Sequence, residues 1–307
     1  MTATQTVKSE FKPDPNFKRK DIYQEVTDTI VRQLEKGVVP WRKPWKSETD
    51  FSFELPMNNT SQNKYRGINI LLLWASTIDQ NFTSNEWATF KQWKEKNESI
   101  RQDQKGTMIV YYDTFEREEE GEVKKIPFLK HSYVFNRSQL ANYKPDEHPK
   151  TETKGTVEKL NTVEQFVANC NAKIDYNKKM ASYNRATDKI SMPNSKTFID
   201  TDQCSATEGY YATLVHELTH WTGHESRLNR DLGKKFGDRQ YAVEELVAEL
   251  GAAFMCTGFG ISRPEKAQHA SYIGNWLKAL KDDKHVIIAA ASEASKASEF
   301  LHKLQPE

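Results

Sequence analysis

VHELTHWTGH, residues 215–224, carries three histidines and a glutamate in ten positions, and its reading decides the second half of the chain. His216, Glu217 and His220 form HExxH, preceded by GYYATLV, residues 209–215, whose apolar spacing predicts a helix running into the motif. On a helix, positions i and i+4 share a face, so both imidazoles reach one ion at about 2.0–2.1 Å. Glu217 sits beside the first ligand, where it can take a proton from a water polarised by the metal as that water attacks a carbonyl. The pattern is that of a zinc hydrolase with Glu217 as the base.

A third ligand is needed. The extended form HExxHxxGxxH finds its glycine at Gly223 but Ser226 where the histidine belongs, so that version fails. His224 lies one turn beyond His220 with too little chain after the glycine to swing back, and reads as an exposed or helix-capping histidine. YAVEELVAELGAAF, residues 241–254, offers carboxylates instead. Glu245 and Glu249 share a face of a helix apolar enough to be buried, and a buried carboxylate needs a partner. In zincins with a glutamate ligand, an acidic residue four positions later orients the first histidine. On that pattern Glu245 is the ligand and Glu249 the partner of His216, with the reverse assignment left open. Glu244, at another angle, reads as solvated or salt-bridged. The cofactor expected is one Zn2+ per chain, with Mn2+ or another divalent ion fitting the donors less well. Tyr183 and Tyr211 are candidate oxyanion donors, each more at home as a buried aromatic.

The chain has 307 residues, with 44 Lys+Arg against 43 Asp+Glu, so no overall field advertises a nucleic-acid or membrane partner. Three cysteines, Cys170, Cys204 and Cys256, without CxxC spacing exclude a disulfide framework and a thiolate zinc site. The N-terminus lacks the apolar core of a signal peptide, and no apolar run approaches the ~18–20 residues of a membrane span. A cytoplasmic protein with no membrane partner is expected.

The fold class expected is α+β: a mixed α/β domain over residues 1–145, a linker over 146–157 and an α-rich zincin-like domain with a small sheet over 158–307. Residues 1–17 read as a disordered arm. A first helix starts near Asp21, with Ile22, Val26, Ile30 and Leu34 on one face and Gly37 as its stop. GINILLLW, residues 67–74, suits a buried helix or strand. SNEWATFKQWKEKN, residues 84–97, spaces Trp87, Phe90 and Trp93 as a helix would. Residues 107–116 and 126–136 form an antiparallel pair joined by the acidic loop REEEGEV, residues 117–123. In the second half a hairpin is expected over 180–192, turning near Arg185 to Asp188, as the edge that lines a peptide cleft. Helices follow at about 207–223, 240–257, 263–281 and 284–303.

Five of the seven tryptophans precede residue 100. In VPWRKPW, Trp41 and Trp45 flank Arg42 and Lys43, and Lys64, Tyr65 and Arg66 repeat the chemistry in NKYRG. Aromatic rings beside cations make a surface on which unpaired bases stack while phosphates are neutralised. The competing reading is a small core capped by indoles, and composition does not separate the two.

PWRKPW, NKYRGINILLLW, SNEWATFKQW, KHSYVFNRSQL, HELTHWTGH and EELVAELGAAF, in that order, resemble the ArdC-type antirestriction proteins carried by conjugative plasmids. The resemblance covers nearly the whole chain from about Asp21. It implies an N-terminal domain that binds single-stranded DNA nonspecifically and a C-terminal zincin-like metallopeptidase domain. It also implies a role in shielding plasmid DNA that enters a recipient as a single strand from restriction. DNA-bound proteins or restriction enzymes are then the candidate protein substrates. The alternative is occlusion by the DNA-binding half alone, with the zincin domain a scaffold of little or no activity.

Overall fold

A computed structural model describes residues 21–42, 54–119, 122–144, 156–176, 178–200, 205–233, 239–261, 263 and 269–306. The expected arm at 1–17 and residues 146–155 of the expected linker lie outside these.

Helix α1 (Ile22–Glu35) begins where Asp21 accepts a hydrogen bond from the Gln24 amide, and it buries Val26, Ile30, Val31 and Leu34. GINILLLW forms helix α2 (Ile68–Gln80), buried on most sides. Strands β1 (Met57–Asn58), β2 (Glu86–Ala88), β3 (Thr107–Glu119) and β4 (Glu122–Asn136) form a sheet in the order β1-β2-β4-β3, with β1 parallel to β2 and the other pairs antiparallel. The helix expected over 84–97 is instead β2 followed by α3 (Phe90–Glu95). Thr89 and Gln92 form a capping box that starts the helix only at Phe90, while Trp87 pairs with Asn136 across the sheet and is fully buried. A strand and a helix in succession thus produce the three-residue spacing of aromatics. The ladder of β3 and β4 also runs into the expected acidic loop, as far as the pair Glu119 and Glu122. Charge argues for solvent, not against strand.

The second half opens with α4 (Thr156–Asn169), which takes in the last two residues of the expected linker. A three-stranded sheet follows, ordered β5-β7-β6, from β5 (Lys173–Asp175), β6 (Ser182–Asn184) and β7 (Lys189–Ser191). The β6–β7 hairpin turns at residues 185–188, as expected, and β6 is an edge. Helices α5 (Ala206–Trp221), α6 (Arg239–Phe259), α7 (His269–Asp282) and α8 (Val286–Lys303) complete an α+β architecture.

One core cluster joins Ile30, Leu71 and Val110 of the first half to Leu250, Trp276 and Ile287 of the second. A second lies under α4, α5 and the small sheet. Helix α6 serves both, with Leu246, Leu250 and Phe254 in one cluster and Ala252, Met255 and Cys256 in the other. A helix apolar all round is a central helix, and α6 is that element here. Among the described residues, no helix is long and apolar enough to cross a membrane.

Candidate metal centre

Helix α5 starts at a second capping box, in which Ser205 and Glu208 satisfy each other's backbone amides. From there it carries His216, Glu217 and His220 into the interior against α6. The two helices approach closely at Gly251, where an added Cβ would lie 2.6 Å from Thr219 Cγ2. That contact brings the carboxylates of α6 up to the histidines.

His216 Nε2 lies 3.6 Å from Glu245 Oε2, and His220 Nε2 lies 3.5 Å from Glu245 Oε1. One ligand atom from each of the three residues falls within 4.8 Å of the others. Donors placed tetrahedrally about an ion at 2.0–2.2 Å sit roughly 3.4 Å apart, so the spacing fits a divalent metal with little adjustment. Glu245 is the carboxylate that faces both Nε2 atoms.

The other ring nitrogens meet carboxylates too. His220 Nδ1 is 3.0 Å from Glu244 Oε1, and His216 Nδ1 is 3.6 Å from Glu249 Oε1. A proton held on Nδ1 by such a partner leaves the Nε2 lone pair free for a metal. Nothing in the spacing of the sequence singles out Glu244 for this role. It is buried, and Arg230 grips it with Nε 3.0 Å from Oε2 and Nη2 2.8 Å from Oε1. Arg230 also donates to Thr222 Oγ1 and to the Thr219 carbonyl at the end of α5. The chain after α5 folds back to deliver it: the Arg230 amide bonds the Gly223 carbonyl, and a Cβ at Gly223 would press within 3.0 Å of the guanidinium and 2.5 Å of Leu232 Cδ2. The glycine that imitates a longer zinc motif therefore makes room for Arg230. Glu249 has its own cations, with Arg263 Nη2 at 2.6 Å and Arg42 Nη2 at 3.6 Å from its Oε2. Carrying these arginines, Glu249 is committed to them, whereas Glu245 faces the imidazoles.

Electrostatics follows the geometry. Burial works against a charged ring at His220, but Glu244 and Glu245 outweigh it and push its pKa up to about 10. Burial would raise the two carboxyls, yet the histidines hold Glu245 below the usual range, and His220 with Arg230 does the same for Glu244. The neighbouring carboxylates thus favour a proton on His220, which a dication binding its ring must displace. Glu217 is buried, and among the described residues its carboxylate makes no hydrogen bond or ion pair, which suits a base. Of the three candidate ligands His220 is the most exposed, its side chain 12% against 9% for Glu245 and 4% for His216.

The remaining candidates lie elsewhere. His224 bonds Ser226 Oγ and stands outside the ligand group. The hydroxyl of Tyr183 is tied to Asp188 and Arg227, and that of Tyr211 to Glu164. Trp41 is 1% exposed and packs edge-on against Trp276, so the stacking face expected there does not exist. Arg42, expected on phosphate, is turned inward to Glu249. Lys43 and Trp45 lie outside the described residues. Lys64 is exposed, Tyr65 is half-buried with its hydroxyl accepting from Asn58 Nδ2, and Arg66 pairs with Glu299 at the surface. Spacing within a helix brought out the histidines of the candidate ligand group. Nothing local marks Arg230, Arg263 or Arg42, because each reaches its carboxylate from a different segment.

Two family models match the chain: the N-terminal domain of anti-restriction factor ArdC over residues 20–135, and a zincin-like metallopeptidase over residues 161–293. The uncharacterized protein y4eC of Sinorhizobium fredii is 32% identical over 296 residues, covering 94% of this chain and 93% of that one. A DNA primase TraC of Escherichia coli is 34% identical over 303 residues, but the chain spans only 27% of the primase's length. Crystal structures of the antirestriction ArdC protein from the R388 plasmid, metal-free and Mn(II)-bound, superpose with TM-scores of 0.76 and 0.75 at 39% and 38% identity, each covering 93% of this chain and 98% of the other.

Proposed function

The chain belongs to the ArdC antirestriction family, and we propose that it binds single-stranded DNA without sequence preference and protects incoming conjugative plasmid DNA from restriction. DNA binding is assigned to residues 1–145 and a divalent-metal centre to 158–307, joined through 146–157. The observation that carries the metal assignment is the convergence of both Nε2 atoms on Glu245. The donor set of two imidazoles and one carboxylate suits zinc, and the Mn(II)-bound R388 relative makes manganese the other candidate.

When bound, the ion supplies a Lewis acid that polarises a peptide carbonyl and a water. Glu217 takes the proton released in the attack and returns it to the leaving amine. Glu244 and Glu249 hold the two rings in the tautomer that ligates. A protein bound to DNA, or a restriction enzyme, is the substrate this arrangement would reach. The depth of burial of the cluster favours a second reading, in which the metal is structural and DNA occlusion alone protects.

One substitution separates the two. Glu217→Gln should keep the metal and lose hydrolysis of an unfolded protein substrate. Transfer of plasmid DNA into a restricting recipient is then compared for the variant and the parent. Protection that survives the change ends the proteolytic account and leaves occlusion.

A further inference from the structure

Alternate residues of a strand share a face, which puts His131, Tyr133 and Phe135 of β4 side by side. Their rings run together: His131 and Tyr133 meet edge-on at 5.7 Å between centroids, and Phe135 meets Phe90 at the start of α3 at 6.5 Å. Gly106 completes the strip. A Cβ there would lie 3.0 Å from Tyr133 Cβ and 3.1 Å from Phe135 Cζ, so only bare backbone lets the two rings lie against it. Phe90 is 59% exposed and Tyr133 46%, and His131 is exposed as well. These rings are not loosely placed. The opposite face of β4 puts Val134 into a cluster with Leu73, Phe82 and Trp87, and Trp93 Nε1 donates to the Phe135 carbonyl.

Cations border the strip. Lys91 follows Phe90, Lys94 lies one turn on, and Arg101 and Lys105 lead into Gly106; all four are exposed. Of the acids between them, Glu95 is paired with Lys91. A row of aromatic rings on a rigid sheet, edged by lysine and arginine, is the chemistry by which unpaired bases stack while their phosphates are neutralised.

We propose that Phe90, Phe135, Tyr133 and His131 form the stacking platform for single-stranded DNA, with Lys91, Lys94, Arg101 and Lys105 on its phosphates. The proposal rests on the single-stranded DNA reading above and moves its surface away from Trp41. Binding there is sequence-tolerant, because every base has a stacking face.

The test uses the full chain and a fluorescently labelled oligothymidylate, with affinity read by anisotropy. Phe90→Ala and Tyr133→Ala should each weaken binding about 5- to 150-fold. Tyr133→Phe and Phe90→Trp should keep it. Lys91→Ala with Lys105→Ala should flatten the salt dependence. Melting temperatures of the exposed-ring variants should match the parent. A parent that does not bind the oligonucleotide ends the DNA reading and this surface with it. A parent that binds while the Phe90→Ala, Tyr133→Ala double variant binds as tightly overturns the surface alone. The surface is overturned as well if that variant only lowers the oligomeric state, since the strip would then be a contact between copies.

Discussion

Arg230 and Glu244 meet as a buried bidentate pair, 2.8 and 3.0 Å apart at their two contacts, and Glu244 hands that constraint on to His220 Nδ1 at 3.0 Å. Removing one partner of a buried ion pair costs about 3–5 kcal/mol, and losing the group that orients a ligand histidine lowers metal affinity about 10–100-fold. Arg230→Met should show both effects, in the melting of the metal-free protein and in a zinc titration against a competing chelator. Glu244→Gln keeps an acceptor for the ring and should lose less affinity.

Glu245 and Glu249 differ in what surrounds them, imidazoles for the first and arginines for the second. Glu245→Ala should therefore emerge from dialysis without bound metal, while Glu249→Ala should retain it at reduced affinity. Full metal content in the Glu245 variant would reverse the assignment.

At Gly251, α6 lies close against Thr219 of α5. Gly251→Ala should overpack against Thr219 at a cost of about 1–3 kcal/mol. Because the contact spaces the carboxylates from the histidines, metal affinity should fall along with thermal stability.

Trp41→Ala removes a large buried side chain from the shared core and should destabilise the fold by about 3–5 kcal/mol. Under conditions where the variant is still folded, its affinity for an oligonucleotide should equal the parent's. A selective loss of DNA affinity with unchanged stability would return Trp41 to the DNA surface.

At the start of α1 the Lys284 ammonium holds the Asp21 carboxyl below its usual 3.8, helped by the Gln24 amide. A carboxyl depressed in the folded state adds stability above its unfolded pKa and loses it as pH falls through the folded value. Asp21→Asn keeps a capping oxygen but loses the ion pair with Lys284. Its melting temperature should trail the parent's at pH 6, and the gap should close as pH drops below about 3.8 toward the depressed folded value.

Several elements were legible because their signal is local. The four-residue recurrence of Ile22, Val26, Ile30 and Leu34, with Asp21 before and Gly37 after, places α1 without reference to the rest of the molecule. The hairpin of β6 and β7 and the HExxH helix are of the same kind. Trp87, Phe90 and Trp93 misled because two elements in series produced a helical spacing. Trp41 misled because an indole beside cations has the same composition in a core as on a surface.

By itself, the sequence determined the periodic elements and the pair of imidazoles on one helix face with a glutamate between them, since these depend on residues within a turn or two. It narrowed the candidates for a third ligand to two carboxylates four residues apart on one helix, and could go no further. Only the tertiary structure decided between their surroundings, because Arg230, Arg263 and Arg42 reach Glu244 and Glu249 across gaps in the chain that carry no periodicity. It likewise sank Trp41 beneath α7 and left Tyr133 and Phe90 on the surface. Burial is a property of what packs above a side chain, and that neighbour comes from elsewhere in the fold.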